Sequence, residues 1–303
     1  LLKLQSKNNI ISDEFAKDLV EAVDLLESED FSSMVLYAEG RNFSVGANLY
    51  MMKKSHEMKK VEELVGPAIT QLHDSFNRLK YSLKPIVTAV QGKALGGGCE
   101  LILHSPFVVA ASETYIGMVE AGVGLIPSGG GLAEMSDRIL STNHKHDDKQ
   151  QSMSEVLTNI GTAKVSTNAY EAKRYGYLRD TDSIILNVEQ RVEAALKKAR
   201  LESEMNYIPK PAGQYIALGS DFKALAEGML DAQRLGNFIS DHDYEITLKM
   251  AEVLSGGDIP RNTYVNQRYL QKLEKERFLD LLQTEKTYAR ISHMLETGKP
   301  LRN

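Results

Sequence analysis

The 303-residue sequence predicts an α/β fold with a helical C-terminal region, and three observations carry that expectation. Short apolar runs of strand length alternate with amphipathic helix patterns through the first 130 residues. Glycine clusters stand where those strands hand over to helices, and after Ala163 the apolar spacing becomes almost wholly helical. Residues 1–4 read as the end of a strand. Ser12, followed by Asp13 and Glu14, is a helix N-cap, and Phe15, Leu19, Val20, Val23 and Leu26 carry one apolar face to about Glu29. Residues 34–37 form a strand closed by Glu39 and Gly40. Val65, Ile69, Leu72, Phe76 and Leu79 share one face of a helix over 61–79, Pro85 releases a strand at 86–90, and another strand is expected at 107–111.

Residues 141–158 turn polar and read as a surface insertion. His144, His146, Asp147 and Asp148 could ligate a metal there, but nothing fixes their geometry, and a solvated loop is the expectation. Further helices are expected over 187–200, over 240–254 before Gly256 and Gly257, and over about 266–282. The expected organisation is a core over 1–200 and a helical region over 201–303.

With 42% apolar residues the chain can bury a sizeable core, and 36 Lys and Arg against 41 Asp and Glu leave a net charge of -5. That balance holds no excess for gripping a nucleic acid backbone. One cysteine, Cys99, cannot form an internal disulfide, and no stretch approaches the roughly 18 apolar residues of a membrane span. A reducing, cytoplasmic location without a membrane span is expected. The chain opens at Leu1 without Met or a signal-peptide layout and reads as a fragment.

Three glycine loops hold the chemistry. They are residues 42–48, with Gly46, Ala47 and Asn48; residues 92–100, ending Ala94, Leu95, Gly96, Gly97, Gly98, Cys99, Glu100; and residues 117–131, with Glu120, Pro127, Ser128 and Gly129 to Gly131. Phosphate cradles fit them badly. Gly92-Lys93 is followed by Ala94 where a P-loop needs Ser or Thr, no loop is G-x-G-x-x-G, and neither Ser44 nor Ser128 lies in G-x-S-x-G. Close approach of backbone to another kind of ligand remains.

In order and spacing the three loops resemble the crotonase, or enoyl-CoA hydratase/isomerase, superfamily, with Val119 where that family usually has proline. The resemblance covers most of residues 1–200 and implies a crotonase-type ββα spiral core. It places the oxyanion-hole N–H groups at Ala47 and Gly97 and the catalytic carboxylates at Glu100, for the water, and Glu120, for the Cα proton. The catalytic-water N–H falls on Ser128, where family hydratases usually carry glycine, and Gly46, Asn48, Met51 and Met52 are the implied substrate-binding neighbours. Met51 and Met52 suit an acyl pocket or ordinary packing equally. Lys53, Lys54, Lys59 and Lys60 read as a solvated helix face rather than a coenzyme A phosphate site. Cys99 reads as a packing residue, and His73 and His104 as core or rim.

The implied activity is hydration of trans-2-enoyl-CoA to 3-hydroxyacyl-CoA in fatty-acid β-oxidation, with coenzyme A as part of the substrate and no metal or other cofactor. The C-terminal part resembles the hydratase portion of multifunctional bacterial fatty-acid oxidation proteins, in which NAD serves an upstream 3-hydroxyacyl-CoA dehydrogenase. A fused or associated dehydrogenase and thiolase, or a homo-oligomer, are the partners this leaves open. A Δ3-Δ2 enoyl-CoA isomerase and a non-catalytic acyl-CoA-binding module are the competing readings; Glu100 and Glu120 together favour hydration.

Overall fold

A computed structural model describes residues 1–6, 9–141 and 148–303, so His144, His146 and Asp147 of the candidate metal cluster lie outside the described residues. In chain order the elements are β1 (Leu2–Leu4), α1 (Asp13–Ser28), β2 (Met34–Ala38), α2 (Leu49–Glu57), α3 (Val61–Lys80), β3 (Ile86–Leu95), α4 (Gly97–His104), β4 (Phe107–Gly117), α5 (Gly131–Leu140) and α6 (Lys149–Gly161). There follow α7 (Ala169–Arg174), β5 (Ser183–Ile185), α8 (Arg191–Glu204), β6 (Gln214–Ile216), α9 (Gly219–Leu235), α10 (Asp241–Ser255), β7 (Tyr264–Asn266), α11 (Gln267–Leu282) and α12 (Glu285–Thr297). They form two compact units interleaved along the chain. The first is Leu1–Asn48, Thr70–Met118 and Val165–Pro211; the second is Leu49–Ile69, Val119–Lys164 and Ala212–Asn303.

In the first unit the strands form one parallel sheet in the order β1-β2-β3-β4-β5. Parallel neighbours need long crossovers, and helices supply them. The start of α1 is as expected, with the Ser12 hydroxyl accepting from Phe15 N at 3.2 Å. Residues 86–91 are buried without a break, the pattern of a parallel strand covered on both faces. One cover is α8, whose Ala195 and Ala199 join Val35, Val87, Ala89 and Val109 in a single apolar cluster.

β3 and β4 run further than the sequence pattern indicates. Their register shifts between Val90 and Gly92, after which Gly92 to Leu95 pair with Thr114 to Gly117. Gly92 makes this bend: its φ is +56°, and a Cβ there would fall on the Arg41 carbonyl. Beyond the bend Ser44 bridges Ala94 and Ile11 bridges Ala47. Each strand therefore has two segments before its helix, which is the ββα spiral expected from the resemblance.

The second unit is helical apart from the antiparallel pair β6 and β7. α10 begins with a full capping box between Ser240 and Asp243. The surface insertion expected over 141–158 is corrected here, because residues 149–158 belong to α6. Met153, Val156, Leu157 and Ile160 give that helix a buried stripe inside a polar sequence, and Asp148 caps it by accepting from Gln150 and Gln151 N. No group of three or more His, Cys, Asp or Glu among the described residues could hold a metal ion. No helix among them is long and apolar enough to cross a membrane.

Candidate active site

Five of the expected site residues, Gly46, Ala47, Asn48, Gly97 and Glu100, lie in the first unit, and the orientation of the Ala47 and Gly97 N–H groups follows from bonds made next door. Ile11 donates its N–H to Gly46 O at 3.2 Å. The peptide bonds are trans, and in a trans peptide C=O and N–H point opposite ways, so the Ala47 N–H is aimed away from Ile11. Gly96 O accepts from Glu100 N at 3.0 Å as the first bond of α4, so the Gly97 N–H points out of the helix start. Gly96 reaches this turn with φ 54° and ψ -126°, a conformation that favours glycine. Both donors adjoin one residue. Ile11 bridges Ala47, and its side chain lies 3.4 Å from where a Gly97 Cβ would be. Gly98 is equally constrained, since a Cβ there would stand 2.6 Å from Ser44 Cβ.

Glu100 is in the first turn of α4 and only 2% exposed. A glutamate that deep is rare without partners. The far end of α4 is held by Arg179, which donates to Leu103 O at 3.1 Å, Ser105 O at 2.7 Å and Pro106 O at 3.0 Å. These are the carbonyls a helix end leaves over, and a cation suits them. His104 is a core residue, its Nδ1 2.8 Å from Glu100 O and its ring against Phe76. Cys99 and His73 are also buried, in line with a packing role.

Glu120 and Ser128 belong to the second unit. Glu120 opens a 3-10 turn over Glu120–Val123, closed by Gly124 at φ +84° and by Leu125 N donating to Glu120 O at 3.1 Å. Three side chains from the C-terminal helices hold this stretch. Arg290 Nη1 donates to Ala121 O at 3.2 Å and Thr287 Oγ1 to Gly124 O at 2.7 Å. Glu274 accepts from Gly130, Leu132 and Ala133 N at 2.6, 3.0 and 3.2 Å, taking up the free donors at the start of α5. Burial pushes the Glu274 carboxyl up to about 8, against the pull of those three N–H groups. Ser128 is half-buried and outside the left-handed region, so serine fits where the family usually has glycine.

The remaining expected residues are less enclosed. Ala47 and Asn48 are exposed and Gly46 is buried. On α2, Met51 is 50% exposed and Met52 half-buried. Lys54 and Lys59 are exposed, Lys60 pairs with Glu63 at 3.2 Å, and Lys53 Nζ lies 5.6 Å from the Tyr288 ring centroid.

Sequence reasoning missed Glu274, Thr287 and Arg290. A signal existed for the first: Glu274 stands on the buried stripe Gln267, Leu270, Gln271, Phe278, Leu281 of α11, where a charged residue needs a reason. Thr287 and Arg290 flank Ile291 on the buried face of α12 in the same way.

Comparison with known proteins agrees with the fold. Residues 1–146 match the family described as Enoyl-CoA hydratase/isomerase. A Bacillus subtilis (strain 168) protein named "Probable 3-hydroxyacyl-CoA dehydrogenase" is 35% identical over 305 residues, covering 100% of this chain and 38% of that protein. Human mitochondrial methylglutaconyl-CoA hydratase is 30% identical over 251 residues, covering 82% of this chain and 66% of that protein. The crystal structure of an enoyl-CoA hydratase from Bacillus halodurans superposes with a TM-score of 0.63 at 18% identity, covering 96% of this chain and 94% of that one. The chain belongs to the crotonase, or enoyl-CoA hydratase/isomerase, superfamily. It spans between 26% and 38% of the length of the dehydrogenase and trifunctional relatives it matches.

Proposed function

We propose that this chain hydrates trans-2-enoyl-CoA thioesters to 3-hydroxyacyl-CoA, as the hydratase part of a longer fatty-acid β-oxidation protein. The observation that supports it most is the pair of outward N–H groups at Ala47 and Gly97, set beside one residue, with buried Glu100 in the first turn of the same helix. Water adding to Cβ drives negative charge onto the thioester oxygen, and two fixed N–H dipoles stabilise that charge without reorganising. Glu100 takes the proton of the attacking water, Glu120 delivers a proton to Cα, and the Ser128 N–H holds the water. Gly46 and Asn48 shape the oxyanion loop, and Met51 and Met52 border the acyl chain, where flexible thioethers tolerate varied lengths. Both hydrogens come from the added water: over a turnover the proton that Glu100 accepts is returned through solvent to Glu120 in place of the one given to Cα. The match to a protein named as a probable 3-hydroxyacyl-CoA dehydrogenase supports a fused or associated dehydrogenase, with NAD serving that portion, and the single cysteine fits a reducing, cytoplasmic setting.

The test is hydration of crotonyl-CoA and of a longer enoyl-CoA, followed by loss of the conjugated-thioester absorbance, for the wild type, Glu100→Gln and Glu120→Gln. Each variant should lose about 10²- to 10⁴-fold in kcat. A wild type inactive on both substrates, or a fully active Glu100→Gln, overturns the reading.

A further inference from the structure

The Glu120 turn is short and makes few bonds of its own, yet the second unit surrounds it with buried polar side chains. Arg290, 1% exposed, donates to Ala121 O, and its guanidinium is itself fixed by Asp243 Oδ1 at 2.8 Å, Asn303 Oδ1 at 2.9 Å and Ser240 Oγ at 3.3 Å. Thr287, fully buried, donates to Gly124 O at 2.7 Å, and His242 Nε2 lies 3.0 Å from the same hydroxyl. A threonine hydroxyl has one proton. Given to Gly124, that proton leaves Thr287 Oγ1 as the acceptor, so His242 Nε2 must carry a hydrogen and donate it. Burial and then the nearby Arg290 lower the His242 pKa, against the opposing pull of Glu245. His242 Nδ1 faces Glu245 at 3.4 Å. Gly124 has no slack: a Cβ would stand 2.9 Å from Thr287 Oγ1 and 3.0 Å from Thr287 Cα.

Resting on the hydratase reading, we propose that Thr287 and Arg290 are positioning residues for Glu120, fixing the carbonyls of Ala121 and Gly124 on its turn, and that His242 is the donor that aims Thr287. The turn itself is only four residues long, too short to set a carboxylate within the fraction of an ångström that proton transfer requires. Two carbonyls gripped from α12 hold the turn from Ala121 to Gly124, and Glu120 is tied to that held segment by Leu125 N donating to Glu120 O at 3.1 Å.

Thr287→Val tests this, since it keeps the shape and removes both the donor and the acceptor. It should lower kcat by about 10- to 100-fold, as expected for a reacting group displaced by about 1 Å, with KM held. Thr287→Ser restores the hydroxyl and should recover most of the loss, whereas a structural role alone would lower the melting temperature and leave kcat of the folded enzyme unchanged. Amide exchange gives a readout apart from catalysis: Gly122, Gly124 and Leu125 donate within the turn and should lose protection in Thr287→Val. If Thr287→Val does not fold, His242→Phe replaces it, with a kcat loss of about tenfold expected. Wild-type kcat in a folded Thr287→Val or His242→Phe overturns the proposal. A wild type without hydratase activity overturns the preceding reading instead, and the clamp then stands or falls on the exchange result: unchanged protection ends it.

Discussion

The two units hold their candidate site residues by different means. In the first, orientation comes from the main chain: a bridge at Ile11, the first bond of α4 and the glycines at 92, 96 and 98. In the second, it comes from side chains far along the sequence, with Glu274, Thr287 and Arg290 reaching back 144, 163 and 169 residues to the 120–133 stretch. Backbone-held geometry needs glycine and tolerates little else at a few positions. Geometry held by side chains is spread over many positions, each of which can be weakened by degrees. The first kind should therefore fail abruptly under substitution and the second gradually.

Gly97→Pro should show the abrupt failure and the largest effect. Gly97 is the first residue of α4, where a helix makes no use of the N–H, so proline removes that donor while setting a Cβ 3.4 Å from the Ile11 side chain. Hydration should fall about 10²- to 10³-fold with the circular dichroism spectrum intact. Near-normal kcat in that variant would mean the Gly97 N–H is not an oxyanion donor, and would remove the backbone side of the contrast.

Legibility in the sequence follows the same division. Main-chain devices leave marks at the residue that makes them: Gly96 to Gly98 before an apolar helix, Ser12 before Asp13 and Glu14, and Pro85 before a buried strand all point to elements the structure contains. Glu100 stood out because a glutamate between Cys99 and Leu101 has no solvent face. Glu274, Thr287 and Arg290 leave only the mark of a polar residue on a buried stripe, and that mark does not say which loop the residue grips. α6 was hidden for a related reason, since its four buried apolar residues are diluted by Lys149, Gln150, Gln151 and Ser152 on its first turn.

A graded response is expected at Glu274. An amide nitrogen cannot accept, so Glu274→Gln loses at least one of the three bonds at the start of α5, at a cost of about 1–3 kcal/mol. The pH dependence has a definite sign. The folded state holds the Glu274 proton up to about 8, above the unfolded value of 4.5, so its contribution is complete below 4.5 and is lost as pH rises from there to about 8. The slope is at most about 1.4 kcal/mol per pH unit for one proton. Chemical denaturation between pH 4.5 and 8 should therefore show Glu274→Gln least stable relative to wild type at the acid end, with the gap closing upward. A gap that widens with pH would mean that Glu274 is held ionised in the fold.

Ser128→Gly should have the smallest effect. Serine already fits the backbone there, so glycine brings no relief and costs about 0.5–1 kcal/mol through the unfolded chain. Hydration measured beside 3-enoyl to 2-enoyl isomerisation should be equal to wild type. A sharp loss of hydration alone would give the Ser128 hydroxyl a role of its own and add a side-chain function to this loop.

The reach of Arg290 also has a meaning in time. Ala121 leaves the ribosome 169 residues ahead of the side chain that grips it, and at about 5–20 residues per second that is a delay of about 8–34 s. Through that interval the nascent chain already contains every residue of the Ala47–Gly97–Glu100 half, while the Glu120 turn has neither Thr287 nor Arg290 to restrain it. The Glu120 turn is thus restrained later than the Ala47–Gly97–Glu100 half, and a chain released before α12 is complete would carry the turn proposed to hold the Cα acid without the side chains that grip it.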